Sequence, residues 1–147
     1  MKKLSLTLSL FIFTINTLMA PPNGVSTIVE PTPIVYYSGG MYSSLIEALH
    51  QKEASKNDTL INVREQAYGG LQIRQCRLDH YNKLNNTNYV LTDCFDYELS
   101  KKIFIYFTNH DSNGNKIPNK SWEKAAKDWN GSGSMTITYW EEVKKIL

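Results

Sequence analysis

Glu53 follows Leu45, Ile46 and Leu49 along a short amphipathic segment. Residues three and four apart share one face of a helix, so this acid falls on the inward stripe, where a charge is costly unless something uses it. A Glu in a half-apolar pocket has its pKa raised and holds a proton near neutral pH, which suits protonation of a leaving oxygen such as that of a glycoside. A rim carboxylate with no role would show the same spacing. A second group is Gly69-Gly70-Leu71-Gln72-Ile73, in which adjacent glycines allow close backbone approach and a polar Gln stands between apolar neighbours; an ordinary Gly-rich turn has the same composition. The third is Trp129-Asn130-Gly131-Ser132-Gly133. An aromatic face stacks on the apolar side of a pyranose while an amide bonds its hydroxyls and N-acetyl groups, although helix termination at Gly131 accounts for the same residues.

The elements that must position these groups read as mainly α. Ser43 or Ser44 is placed to cap a helix running through Glu53 to the break at Lys56-Asn57-Asp58. Leu71-Gln72-Ile73 reads as a short strand or a turn of helix, so a small β element belongs near the glycines. Leu78 and Tyr81 predict a brief helix ending in the Asn-rich run 85–88, and Leu99, Ile103, Tyr106 and Phe107 predict another after the cap Asp96. The stretch 109–119, with Asp111, Asn113, Gly114, Asn115 and Pro118, is a loop. Ser121 opens a helix with Trp122, Ala125, Ala126 and Trp129 inward, and Ser134 a last one with Trp140, Val143 and Leu147 aligned.

Composition sets the outer bounds. With 147 residues, 41% hydrophobic and 20% charged, the chain belongs with ordinary globular proteins. Residues 1–20, basic at Lys2 and Lys3, apolar from Leu4 to Met19 and ending in Ala20, read as a secretory signal peptide. Residues 21–40 read as a Pro/Gly-containing arm and residues 41–147 as one folded domain. Removal of the leader takes both lysines with it, and the remaining basic residues then balance the 14 acidic ones. That balance does not suit nucleic acid. A periplasmic or secreted protein without a membrane anchor is expected, and a monomer. Cys76 and Cys94 are the only cysteines; export makes a disulfide plausible, stabilising by about 3 kcal/mol, with two buried free thiols as the other reading. Their spacing fits no metal site, and no cofactor is called for.

Taken in order, the three groups resemble the lytic transglycosylase and goose-type lysozyme superfamily, with its catalytic Glu at a helix end, its Gly-x-Leu-Gln-Ile segment and its later aromatic-Asn-x-Gly segment. Asp93-Cys94-Phe95-Asp96 is similar to the Phe-Asp turn opening the family's middle helix, and Thr138-Tyr139-Trp140-Glu141-Glu142-Val143 to its closing Tyr-containing helix. The resemblance spans about Leu45 to Val143. It implies a lysozyme-like single domain acting on peptidoglycan glycan strands. Glu53 would protonate the oxygen between N-acetylmuramic acid and N-acetylglucosamine and then serve as base. Gln72 and the Gly69-Gly70 backbone would hold sugar groups, Trp129 and Asn130 would border the cleft, and Tyr68 and Tyr139 are further candidates. The family usually places Ser directly after the Glu; here Ala54 follows and Ser55 comes next.

A transglycosylase uses the sugar's own 6-hydroxyl as nucleophile and leaves 1,6-anhydro ends. A hydrolytic lysozyme needs a second carboxylate about 6.5–9.5 Å away to activate water. Asp58, Glu65 and Asp93 are the candidates, Glu65 first. A noncatalytic glycan-binding protein of the same fold is a further alternative, against which stands the inward acid itself.

Overall fold

Leu45, Ile46 and Leu49 are buried together on helix α1, Ser43–Ala54. The structure, a computed structural model, describes residues 40–147; the expected leader and all of the expected arm except Gly40 lie outside the described residues. Tyr42, rather than a serine, occupies the N-cap of α1 and makes no side-chain capping bond there. Its hydroxyl donates instead to the Lys120 carbonyl at 2.6 Å and its ring meets Phe104 edge-on. Burying that ring outweighs a capping bond of about 1 kcal/mol. Helix α1 stops where Ser55 and Lys56 turn left-handed, at φ 48° and 62°.

A three-stranded antiparallel sheet follows, β1 (Ile61–Asn62), β2 (Ala67–Tyr68) and β3 (Ile73–Arg74), in that order across the sheet. Ile61 pairs with Tyr68, and Tyr68 with Ile73. Between β2 and β3 the chain turns at Gly69, and this turn explains both glycines. A Cβ on Gly69 would lie 2.0 Å from the Cys94 carbonyl oxygen, and one on Gly70 would lie 2.7 Å from His50 Nε2.

Helix α2 (Gln75–Asn85) buries Leu78 and Tyr81 and ends at Asn86 with φ 52°, as the Asn-rich run predicts. A 3-10 turn, Leu91–Phe95, leads into α3 (Tyr97–Asn109), whose N-cap Asp96 accepts from Glu98 N–H at 2.9 Å. Ser121 caps α4 (Trp122–Asn130) by accepting from Lys124 N–H at 3.2 Å, and Ala125, Ala126 and Trp129 turn inward. Helix α5 (Met135–Lys144) packs on α4 and α1. The described residues are therefore mainly helical with a small sheet.

Tyr106 and Phe107 are half-buried, Ser100 and Phe104 facing the core in their place, and two further expectations also differ from what is found. Helix α5 turns Thr136, Tyr139 and Val143 inward, while Trp140 is half-buried and Leu147 is exposed beyond the helix end. Both sets have helical spacing; the choice falls to Tyr139 because its hydroxyl meets a buried acceptor. The cysteines form no disulfide. Cys94 is buried in the core and Cys76 is exposed on the first turn of α2. Burial pushes the Cys94 thiol up to about 12, so it stays protonated.

Candidate functional site

Glu53 reaches its position because α1 runs inward along its apolar stripe and ends one residue later. Its carboxyl lines a cleft of about 310 Å³ whose walls come from α1, the sheet, the start of α2, the end of α4 and α5. Desolvation by burial raises its pKa above the ordinary 4.5, more than the hydrogen bond from Tyr139 and the nearby Lys52 lower it. The Tyr139 hydroxyl donates to Oε1 in a short hydrogen bond. It fixes the carboxyl in rotation and leaves Oε2 to exchange a proton with a ligand. Tyr139 itself is held above its usual range, first by burial and then by the Glu53 charge, so it remains a donor. Ser55 makes no such contact. Its backbone N–H closes α1 on the Gln51 carbonyl, and the side chain is exposed.

The cations near Glu53 are largely committed elsewhere. Lys52 pairs with Glu142 at 2.7 Å and Arg74 with Glu65. Glu65 lines the cleft with Glu53 and pushes its pKa further up. Gln72 holds a left-handed φ of 50°, uncommon for a residue with a Cβ. Its Nε2 donates to the Gly69 carbonyl at 2.8 Å and to the Leu60 carbonyl at 3.3 Å. The amide oxygen has no partner among the described residues, and the residue lines the cleft, which makes it an acceptor for a ligand. Asn130, the last residue of α4, also lines the cleft. Its amide makes no hydrogen bond among the described residues, and Gly131 ends the helix behind it with φ 133°.

No family model, curated protein or solved structure matches the chain.

Five of the residues singled out by sequence therefore meet in one cleft with Glu65: Glu53, Gln72, Trp129, Asn130 and Tyr139. Trp129 does so in a different posture from a stacking platform. It is 7% exposed, its indole N–H donates to the Leu71 carbonyl at 3.1 Å, and the Arg77 guanidinium covers the ring at 3.9 Å from its centroid. Tyr68, Gly69 and Gly70 do not line the cleft. Tyr68 stacks on Phe95 and lines a separate pocket with Ile61 and Leu91, while the glycines are packing positions behind the turn that carries Gln72. Asp93 also lies elsewhere, accepting from Val90 N–H at 2.8 Å to open the 3-10 turn. Asp58 sits 2.9 Å from buried His50, behind Gly70.

Arg77, Arg74, Lys52 and Asn62 are cleft residues that sequence reasoning did not single out. For Arg77 a signal existed. It is the third residue of α2, where the positive end of the helix dipole disfavours a cation, and it is followed at once by fully buried Leu78. Among the described residues no cluster of His, Cys, Asp and Glu is placed to hold a metal ion, and no helix is long and apolar enough to cross a membrane.

Proposed function

We propose that this protein is a peptidoglycan lytic transglycosylase of lysozyme-like fold, exported to the periplasm or beyond. In this reading Glu53 protonates the bridging oxygen of the β-1,4 bond, the substrate's acetamido group supports the positive charge developing at the anomeric carbon, and Glu53 then takes the proton of the 6-hydroxyl as that oxygen closes the 1,6-anhydro ring. The observation that carries it is a half-buried carboxyl with a raised pKa, clamped by Tyr139 and lining a cleft together with the free amide oxygen of Gln72 and the free amide of Asn130. A proton donor of that kind is what glycoside cleavage needs. Gln72 and Asn130 are suited to the N-acetyl and hydroxyl groups of the sugars, and no cofactor takes part.

Glu65 supports a second reading as a hydrolytic lysozyme, because it is the other acid lining the Glu53 cleft among the described residues. Its ion pair with Arg74 and its half-exposed side chain fit a fixed surface charge better than a poised base. The test is digestion of purified cell wall followed by borohydride reduction and mass spectrometry. Wild type is expected to release anhydro ends, lighter than reduced ends by one water and two hydrogens. Glu53→Gln is expected to lose ~10²–10⁴-fold of activity, and Glu65→Gln to retain most of it. Predominantly reducing ends, with collapse of activity in Glu65→Gln, would establish the lysozyme reading instead. Near-normal turnover by folded Glu53→Gln would remove both.

A further inference from the structure

A second cavity, of about 350 Å³, lies between α2, α3, α4 and the loop after α3. It shares Cys76, Arg77 and Trp129 with the Glu53 cleft, so these residues form a wall common to both. Phe104, Phe107 and Ala125 give it an apolar floor. The polar groups around it are engaged within the protein. Lys120 pairs with Asp128 at 2.9 Å, and Asp111 accepts from Asn113 and Asn115 backbone N–H groups at 2.9 Å each. His80 Nε2 lies 2.8 Å from the Ser112 carbonyl.

Arg77 is the exception. Of the cations lining the two cavities, Lys52, Arg74 and Lys120 each have a carboxylate within ion-pair distance, and Arg77 has none among the described residues. Its hydrogen bonding to the described residues is one bond to the Asp128 carbonyl at 3.3 Å, although a guanidinium offers five donors. Burial lowers its pKa, as desolvation of an unpaired cation must. A half-buried charge without a counterion is unfavourable unless a ligand supplies one, and a planar fork lying on an aromatic ring is pre-organised for a carboxylate.

We propose that this second cavity is a subsite for the peptide carried by the glycan strand, with Arg77 binding a free carboxylate of that peptide. The identity of the ligand rests on the reading of the Glu53 cleft as a peptidoglycan site. A strand lying in that cleft carries its peptide as a branch, and the branch enters the neighbouring cavity past Arg77. The peptide's carboxylate meets the guanidinium and its aliphatic parts meet the phenylalanine floor.

The test is binding rather than cleavage. The tripeptide L-alanyl-γ-D-glutamyl-L-lysine is titrated into the wild-type protein, with the Trp129 indole N–H resonance as the readout, and its fully amidated analogue is titrated alongside. The acidic peptide is expected to bind at least about tenfold more tightly than the amidated one, and Arg77→Gln to remove that difference. The comparison of ligands on wild-type protein holds even if Arg77→Gln fails to fold. Equal binding of the two peptides by wild type, or no shift at Trp129 with either, overturns the proposal. Acid-selective binding by a protein that leaves cell wall uncut would overturn the reading of Glu53 and keep the anion subsite.

Discussion

Replacing Glu53 by Gln should stabilise the protein at neutral pH while disabling it. A carboxyl whose folded pKa lies above its unfolded value, as burial imposes here, binds its proton more tightly in the folded state. The stability linked to that proton is complete below the unfolded value of about 4.5 and is lost as pH rises through the folded pKa. Above the folded pKa wild type therefore carries a desolvated anion. The structure gives it one side-chain hydrogen bond, from Tyr139, where an ionised carboxylate has about four acceptor sites. Under-satisfaction of this kind costs about 1–3 kcal/mol. Gln keeps the shape and an oxygen for the Tyr139 hydroxyl, and it cannot ionise. Lys52 and Arg74 retain Glu142 and Glu65, so neither is orphaned. The expected gain is about 1–2 kcal/mol near pH 7.5, each kcal/mol raising Tm by about 4–8 °C in a domain of this size. Thermal and urea unfolding followed by circular dichroism at about pH 7.5, 5.5 and 3.5 should show the gap closing toward acid. A variant less stable than wild type near neutrality, or a gap unchanged with pH, would refute the assignment of a carboxyl whose pKa burial raises.

A maleimide should label Cys76 alone in the native protein and both cysteines after denaturation, because Cys94 is buried and its thiol is pushed up to about 12; intact-mass analysis reads this directly, and the Cys76 adduct, placed on the wall of the cleft, should block activity. Gly69→Ala should lose about 2–4 kcal/mol in unfolding experiments, since its Cβ would lie 2.0 Å from a backbone oxygen at φ +79°. Gly131→Ala, also at positive φ but with nothing within 4 Å, should lose about 1–2 kcal/mol, from backbone strain alone.

The helices were legible because their signals are local. Asp96 and Ser121 cap what they should, and Leu78 with Tyr81, or Ala125 with Trp129, keep the helical period on the buried side. What failed to show was decided by partners distant in sequence. Ser43 has the side chain of a cap, but Tyr42 takes the position because it meets Lys120 and Phe104 across the core. Position 139, rather than 140, faces inward because Glu53, on a different helix, offers an acceptor. The glycine pair was visible, but its reason was not. Adjacent glycines announce a close approach without naming what approaches, and here it is the Cys94 carbonyl and His50.

The same limit applies to charge, and it bears on how the cleft works. In a sequence an inward acid has an obvious use, whereas the position of Arg77 on the first turn of α2 is a weaker signal. In the fold, Arg77 lies against the ring of Trp129 and lines the same cleft as Glu53. Glu53 raises the Arg77 pKa against the larger effect of burial, yet the two form no ion pair among the described residues. Had they closed into one, the carboxyl would be held ionised and lose its capacity to donate a proton. Stacking the guanidinium on Trp129 and bonding it to the Asp128 carbonyl keeps it from that pairing. The aromatic residue that the sequence offers as a sugar platform thus holds a cation away from the acid, which preserves the raised pKa that the proposed proton donation requires.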